Sequence, residues 1–225
     1  MRPVHTTRRL AAIVSADVVG YSRLMGRDDS ATLAGLKAHR QELIDPKIAE
    51  YAGRIVKTTG DGLLLEFPSV IDAVRCAVEL QRGMMERNAD VAPDLQLKFR
   101  IGINVGDIII DGNDIFGDGV NVAARLQEIA TPGGICLSNR VYEEVRDRRQ
   151  IALDDGGERI LKNIERPIRV WQWNPASSEA ATRGTVRRVR RPWNRRTSLP
   201  ESMNWPLVVL LALAVAVVVW TVILG

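Results

Sequence analysis

The sequence predicts an α+β fold of the ferredoxin-like, split-βαβ type, with a mostly antiparallel central sheet, and one C-terminal transmembrane helix. Three observations carry this prediction. Strand-like and helix-like segments follow one another in the order strand, helix, strand, strand, helix, strand. A Gly-Asp-Gly segment separates two apolar runs, which is a hairpin signal. A long uncharged segment, Leu207–Leu224, follows an arginine-rich stretch.

The first predicted strand, Leu10–Ala16, is mostly apolar, which indicates a central strand covered on both faces. Asp29–Ala52 follows as a long helix, because its large apolar residues fall near one face. Pro46 predicts a bend in this helix, since proline lacks the backbone N–H of a helix interior. Gly53 is expected to end it.

The segment Arg54–Phe67 predicts a β-hairpin. Two strand-like runs, Ile55–Thr59 and Leu63–Phe67, flank Gly60-Asp61-Gly62, and glycine supplies the positive φ that tight hairpin turns require. Asp61 is therefore expected at the tip, with its carboxylate free to project. For an isolated segment of this kind, a purely turn-forming role is the alternative interpretation.

The second half of the folded part continues the alternation, starting with a helix at Val70–Asn88 that Ser69 can cap. The later predicted elements are strands Leu95–Val105 and Asp107–Ile110 separated by a turn at Gly106, a loop Gly112–Gly119, a helix Val120–Ala130, a strand Ile135–Ser138, a short helix near Arg140–Arg146, and strands near Ile151–Leu153, Arg159–Lys162 and Ile168–Trp173.

The charge is distributed unevenly along the 225 residues. The formal net charge is +4, but residues 176–225 hold seven arginines against two acids, which leaves residues 1–175 at about −1. The basic excess therefore gives no reason to assign nucleic-acid binding to the folded part. Cys76 and Cys136 lie in apolar stretches without a second Cys or His at ligand spacing, so we expect buried free thiols in a reducing cytoplasm.

We expect a folded domain over residues 1–175, an arginine-rich linker over 176–205 and a membrane anchor over 206–225. The 18 residues of Leu207–Leu224 carry no charge. At about 1.5 Å per residue they span about 27 Å, enough for a bilayer core. A buried helix of a soluble core is the alternative, but it would need partners on every face. The preceding arginines place the folded domain in the cytoplasm, as a single-pass tail-anchored protein of the inner or plasma membrane.

Two acids stand at strand ends that hairpin packing could bring together. Asp17 follows the first strand and Asp61 lies at the hairpin tip. Paired carboxylates with few other ligand types suit hard cations such as Mg²⁺ or Mn²⁺. The glycine turn Gly20-Tyr21-Ser22 comes directly after Asp17 and could direct backbone N–H groups at phosphate oxygens. Together these features predict a metal–triphosphate site.

Further polar residues could read the rest of a nucleotide. Asn121 and Arg125 lie one helical turn apart, so they share a face and could hold an oxyanion and a ribose; a solvated polar face is the alternative. Lys57 and Asp114 supply a donor and an acceptor, which match N1 and the 6-amino group of adenine, whereas guanine presents the reverse. Lys162 could reach a triphosphate, although a lone lysine is equally a surface charge.

These motifs, in this order, resemble the class III nucleotidyl cyclases over Leu10 to about Trp173. The segments that carry the resemblance are Ser15-Ala16-Asp17-Val18-Val19-Gly20-Tyr21-Ser22, Lys57-Thr58-Thr59-Gly60-Asp61-Gly62, the run Asp114–Leu126, and Leu161-Lys162. One departure is Asn163, where glycine is common after the lysine.

The resemblance implies an adenylate cyclase that converts ATP to 3′,5′-cyclic AMP and pyrophosphate in intracellular signalling, with two Mg²⁺ or Mn²⁺ ions per site. It also implies a homodimer whose sites lie at the subunit interface. By position, the implied roles are metal binding by Asp17, Asp61 and the Val18 carbonyl, adenine selection by Lys57 and Asp114, transition-state stabilisation by Asn121 and Arg125, and triphosphate binding by Lys162.

Three other functions stay open at this stage. A guanylate cyclase would share the fold but is disfavoured by Lys57 and Asp114. A catalytically silent nucleotide-binding signalling domain would be favoured by the loss of a metal or transition-state residue, and none is missing. An RNA-binding split-βαβ module would need an aromatic platform, which the sequence does not show.

Overall fold

A computed structural model of the protein describes residues 7–148 and 151–175. The strands are β1 (Thr7–Val18), β2 (Arg54–Thr59), β3 (Gly62–Phe67), β4 (Phe99–Asp111), β5 (Asp114–Phe116), β6 (Ile135–Ser138), β7 (Asp154–Arg159) and β8 (Ile168–Trp173). The helices are α1 (Tyr21–Arg27), α2 (Asp29–His39), α3 (Asp45–Glu50), α4 (Val70–Arg87), α5 (Asp118–Ile129) and α6 (Asn139–Val145).

The strands form one sheet in the order β2-β3-β1-β4-β6-β8-β7, with β5 paired to β4. Among the described strands, β4 and β6 run parallel and the other pairs are antiparallel. The predicted mostly antiparallel α+β sheet is therefore confirmed.

Strand β1 lies at the centre of the sheet and is covered on both faces, as its apolar sequence predicts. Ala12 and Val14 point into the larger core cluster, which α4 covers. Ala11 and Ile13 point the other way, into a second cluster that includes Ala123 of α5. The helices therefore lie on both faces of the sheet, and α5 has the second face largely to itself.

Helix α5 packs very closely on the sheet because a glycine stands beneath it. A Cβ atom at Gly102 of β4 would lie 2.2 Å from the Ala123 carbonyl oxygen and 2.2 Å from the Gln127 amide nitrogen. The buried Asn104 donates a hydrogen bond to the carbonyl of Gly119 over 3.1 Å, which holds the first turn of α5. These contacts hold the α5 backbone close against the sheet.

The predicted long helix over 29–52 is helical but not uniform. Helix α2 passes into a π-helical turn at Arg40–Ile44 before α3 begins, with Pro46 in the first turn of α3. A wider turn at this point relieves the conflict between a proline ring and the carbonyl four residues earlier. The bend that Pro46 predicts therefore takes the form of a π turn.

The hairpin over 54–67 forms as the glycine pattern predicts. Thr59 pairs with Gly62, and Gly60 adopts a φ of 61° between them. The helix predicted at Val70–Asn88 is also confirmed, because Ser69 accepts a hydrogen bond from the backbone N–H of Asp72 over 3.2 Å.

The predicted turn at Gly106 is wrong. Residues 99–111 form one continuous strand, and Gly106 pairs with Ala11 of β1 in mid-ladder. A long partner strand overrides the local glycine signal, since β1 supplies an antiparallel neighbour along nearly the whole of β4. Residues 95–98, predicted as strand, lie before β4 begins.

Two further predicted boundaries are wrong. The loop predicted over 112–119 contains β5, which pairs back on β4 through a turn at Gly112 and Asn113, and α5 starts at Asp118 rather than Val120. The strands predicted near 151–153 and 159–162 are replaced by the single strand β7. Its pairing with β8 along Ile168–Trp173 sets the position of β7.

The structure contains no helix in residues 7–148 and 151–175 that is long and apolar enough to cross a membrane. The predicted linker over 176–205 and the predicted anchor over 206–225 lie outside the described residues.

Candidate active site

The structure brings Asp17 and Asp61 together. Asp17 is the penultimate residue of β1, and Asp61 lies in the turn between β2 and β3. Because β3 pairs with β1 up to Leu63 opposite Ala16, the hairpin tip lies beside the end of β1. The two carboxyl groups lie close enough for each to influence the other.

This proximity changes the acidity of the hairpin carboxyl. Partial burial raises the pKa of Asp61 to about 6, and the Asp17 carboxyl adds to the rise through a hydrogen bond and charge repulsion. Backbone hydrogen bonds from Asp61 itself and from Val18 oppose it. Two carboxyl groups held this close favour a cation between them.

The same aspartate is held by two side chains that the sequence analysis did not single out. Arg100 of β4 donates a hydrogen bond from Nη2 to Oδ2 of Asp17 over 2.8 Å. Gln127 of α5 lies 3.4 Å from the same oxygen. Nε of Arg100 is buried and has no hydrogen-bond partner among the described residues. A guanidinium group therefore stands at the carboxyl pair with a free donor.

The glycine turn after Asp17 forms as predicted. Gly20 has a φ of 67° and precedes α1, a short helix whose first residues are Tyr21 and Ser22. The first N–H groups of a helix have no intrahelical acceptor, so they are available to other acceptors. Gly20 and Ser22 are exposed and Tyr21 is half-buried, so this turn opens to solvent near the aspartates.

Lys57 and Asp114 also meet, although 57 residues separate them. Nζ of Lys57 lies 3.1 Å from Oδ2 of Asp114. The hydrogen bond from Lys57 lowers the pKa of Asp114, and one from the Ile115 backbone adds to the effect. A hydrogen-bond donor and acceptor therefore stand side by side on the surface, as a purine edge requires.

Asn121 and Arg125 lie on the face of α5 that points away from the sheet. Ala123, Leu126 and Gln127 form the buried face of this helix. Asn121 is exposed and has no hydrogen bond from its side chain within the described residues. Arg125 forms an ion pair with Glu128 one turn later. Neither residue forms a hydrogen bond or ion pair with Asp17 or Asp61.

Lys162 is exposed in a turn between β7 and β8. The next residue, Asn163, adopts a φ of 61°, the left-handed region that glycine prefers and that asparagine tolerates better than most residues. Asn163, although it replaces the glycine that is common at this position, therefore keeps the backbone conformation that glycine would adopt.

The predicted site residues are exposed or partly exposed, except for Val18, which is buried. A cleft of about 850 Å³ beside the start of α5 is lined by none of them. The pair Asp17 and Asp61, the pair Lys57 and Asp114, and Asn121 with Arg125 on α5 form three patches of partly or fully exposed side chains.

The donor set at the carboxyl pair fits a divalent metal ion that shares its coordination with a substrate. In residues 7–148 and 151–175, no group of three or more His, Cys, Asp or Glu side chains could hold a metal alone. Mg²⁺ commonly uses one or two carboxylates and completes its shell with phosphate oxygens and water. Asp17, Asp61 and the Val18 carbonyl are oxygen donors of that kind.

The fold and these patches together define a class of protein, a nucleotidyl cyclase catalytic domain. The family model described as "Adenylate and Guanylate cyclase catalytic domain" matches residues 5–173. The chain therefore belongs to this family. Members of the family generally use divalent metal ions, bind nucleotide substrates and often form dimers.

Individual relatives agree with this assignment. "Putative adenylate cyclase 3" of Rhizobium meliloti is 48% identical over 168 residues, which are 75% of this chain and 29% of that protein. The crystal structure of an adenylate/guanylate cyclase/hydrolase from Silicibacter pomeroyi is 51% identical, with a TM-score of 0.73 over 76% of this chain and 99% of that one.

The adenylyl cyclase CyaB from P. aeruginosa shares the fold, with a TM-score of 0.66 at 24% identity over 76% of this chain and 96% of that one. The chain spans between 20% and 34% of the length of the first curated relatives that it matches.

Proposed function

We propose that this protein is an adenylate cyclase, which converts ATP to 3′,5′-cyclic AMP and pyrophosphate. The observation that carries the proposal is the meeting of Asp17 and Asp61 at one end of β1, beside the open turn at Gly20. In the reaction the 3′-hydroxyl oxygen of ATP bonds to its own α-phosphorus. The hydroxyl proton passes to solvent water, the bond from that phosphorus to the bridging oxygen breaks, and pyrophosphate leaves with the electron pair.

Asp17, Asp61 and the Val18 carbonyl hold the divalent ions in this proposal. Two bound Mg²⁺ or Mn²⁺ ions would lower the pKa of the 3′-hydroxyl and neutralise charge on the phosphates. Arg100, which bonds Asp17 over 2.8 Å and keeps Nε without a partner, could turn its guanidinium to the triphosphate. The backbone at Gly20-Tyr21-Ser22 offers further N–H donors to phosphate oxygens.

Lys57 and Asp114 select the base. In this proposal Lys57 donates to N1 of adenine, and Asp114 accepts from the 6-amino group. Guanine carries a donor at N1 and an acceptor at position 6, so it would face donor with donor and acceptor with acceptor. Their 3.1 Å ion pair supports the proposal, because it places both groups within the span of one purine edge.

Asn121 and Arg125 act on the ribose and on the α-phosphate, and Lys162 acts on the triphosphate. We propose that Asn121 and Arg125, together with the base-reading pair Lys57 and Asp114, act in the partner subunit's site, within a homodimer that has two equivalent sites. The support is the outer face of α5, where Asn121 is exposed and Arg125 partly exposed, and where neither forms a hydrogen bond or ion pair with Asp17 or Asp61 of the same chain. Charge on the α-phosphoryl group would be stabilised by Arg125.

The test is turnover by the purified full-length chain with Mn²⁺ and either ATP or GTP, with both cyclic nucleotides quantified by chromatography. We expect cyclic AMP as the main product. A clear preference for GTP would overturn the base assignment and favour a guanylate cyclase. No turnover with either nucleotide, together with binding of both, would favour a silent nucleotide-binding domain.

We also propose that residues 206–225 anchor the protein in the inner or plasma membrane with the folded domain in the cytoplasm. The support is the uncharged stretch Leu207–Leu224 and the seven arginines before it. The test is cell fractionation of the full chain beside a chain that ends at residue 205. We expect the full chain in the membrane fraction after a high-salt wash and the shortened chain in the supernatant; equal partition would refute the anchor.

A further inference from the structure

A buried carboxylate of the β2–β3 hairpin forms ion pairs with two arginines. Glu66 of β3 is only 2% exposed. Arg9 of β1 forms an ion pair with its Oε1 atom, and Arg54 of β2 reaches its Oε2 atom over 2.7 Å. A buried acid of this kind is stable only while its cations stay in place. The two arginines are equally accessible, with side-chain exposures of 42% and 41%.

The two arginines differ in what else they touch. Nη1 of Arg54 donates a hydrogen bond over 3.0 Å to the backbone carbonyl of Asn113. Arg9 has no such second contact among the described residues. Asn113 lies in the two-residue turn between β4 and β5, immediately before Asp114. Arg54 therefore joins the β2–β3 hairpin, which carries Lys57, to the turn that carries Asp114.

The β4–β5 turn has few other attachments near its tip. Strand β5 is three residues long and pairs only with β4. Ile115 anchors its far side in the core, where it is 2% exposed. On the tip side, Arg54 and Lys57 supply the contacts to the neighbouring hairpin. The β4–β5 hairpin would thus stay folded without Arg54, but the Asn113 carbonyl beside Asp114 would lose its contact with the β2–β3 hairpin.

We propose that Arg54 is a positioning residue for base selection: anchored on Glu66, it holds the Asn113 carbonyl and so sets the place of Asp114 relative to Lys57. This inference rests on the proposed function, in which Lys57 and Asp114 read adenine. Arg54 touches neither base nor phosphate in this account. Its guanidinium suits the task because its planar fork can serve a carboxylate and a carbonyl together, which a lysine ammonium cannot do with the same geometry.

The test compares Arg54→Met with Arg9→Met in the full-length protein. Each removes one guanidinium from Glu66 at similar exposure, but only the first releases Asn113. For Arg54→Met we expect the KM for ATP to rise and the ATP-over-GTP ratio of kcat/KM to fall, each by about tenfold, with kcat for ATP within about twofold of the wild type. For Arg9→Met we expect the KM and the ratio to stay within about twofold.

Arg54→Lys gives a third comparison. It keeps a cation for Glu66, so we expect a thermal midpoint closer to the wild-type value than that of Arg54→Met. We expect the ATP-over-GTP ratio to stay lowered, since one ammonium cannot hold both partners. Thermal unfolding of all three variants separates a loss of stability from a loss of selectivity.

Three outcomes would overturn the inference: an unchanged ratio in Arg54→Met, an equal fall in Arg9→Met, or full recovery of the ratio in Arg54→Lys. Failure of the proposed function would look different. In that case the wild-type protein would form no cyclic nucleotide or would prefer GTP before any substitution is made.

Discussion

Replacement of Gly102 by alanine should displace the helix that carries Asn121 and Arg125. The added Cβ would lie 2.2 Å from two backbone atoms of α5 and 2.8 Å from the Leu126 carbonyl carbon. Ordinary contact begins near 3.4 Å, so the helix backbone must retreat by about 1.2 Å. No side-chain rotation can relieve a clash with backbone, so the movement must separate α5 from β4.

The cost should reach the upper end of the range for overpacked cores, about 3 kcal/mol. For a domain of this size that corresponds to a fall of about 6–12 °C in the thermal midpoint. Thermal unfolding by fluorescence on the full-length protein measures it. The matched control is Gly26→Ala, because a Cβ at Gly26 in α1 would meet nothing within 4 Å. A midpoint for Gly102→Ala within about 2 °C of the control would refute the packing argument.

Other substitutions test the site and the fold separately. Arg125→Ala should lower kcat, because it should raise the activation barrier by about 2–4 kcal/mol. ATP binding, measured by calorimetry, should weaken little. Asp61→Ala should abolish turnover, and a mixture with Arg125→Ala should regain it through one intact site per heterodimer; absence of any regain would argue against shared sites. Hydrogen bonds from Lys47 and Tyr51 lower the pKa of Glu79. The stabilisation by the ionised Glu79 is therefore complete above pH 4.5, the ordinary pKa of glutamate, and is lost as the pH falls below it. Glu79→Gln should therefore lower the unfolding midpoint near neutral pH and have a smaller effect at about pH 4; equal shifts at both pH values would contradict this.

Local signals predicted the elements that local chemistry determines. Gly60 and Gly62 predicted the hairpin because a tight turn needs positive φ at glycine, and Gly60 has a φ of 61°. Ser69 predicted the start of α4 because a hydroxyl can accept the free N–H of the first turn. The turn wrongly predicted at Gly106 shows the limit, since strand β1 decides the length of β4 from far away in sequence.

The residues of the candidate site also differ in whether local sequence could identify them. Asp17, Asp61, Lys57 and Asp114 could be found because motifs in a recognisable order carry them. Arg100 could not be found in this way, because it reads as one polar position in an alternating strand. Its contact with Asp17 joins residues 83 apart and depends on the register of β4 against β1. Only the folded sheet shows that a guanidinium lies at the carboxyl pair.

The central claim is that Asp17 and Asp61 together hold divalent ions against the phosphates of a nucleotide. It is tested most directly by counting Mn²⁺ ions bound per chain, by electron paramagnetic resonance, with an ATP analogue that lacks the 3′-hydroxyl. We expect two ions per wild-type chain, which has one site. In both Asp17→Asn and Asp61→Asn we expect tight Mn²⁺ binding to be lost while the thermal midpoint is retained. Unchanged Mn²⁺ binding in either variant would contradict it.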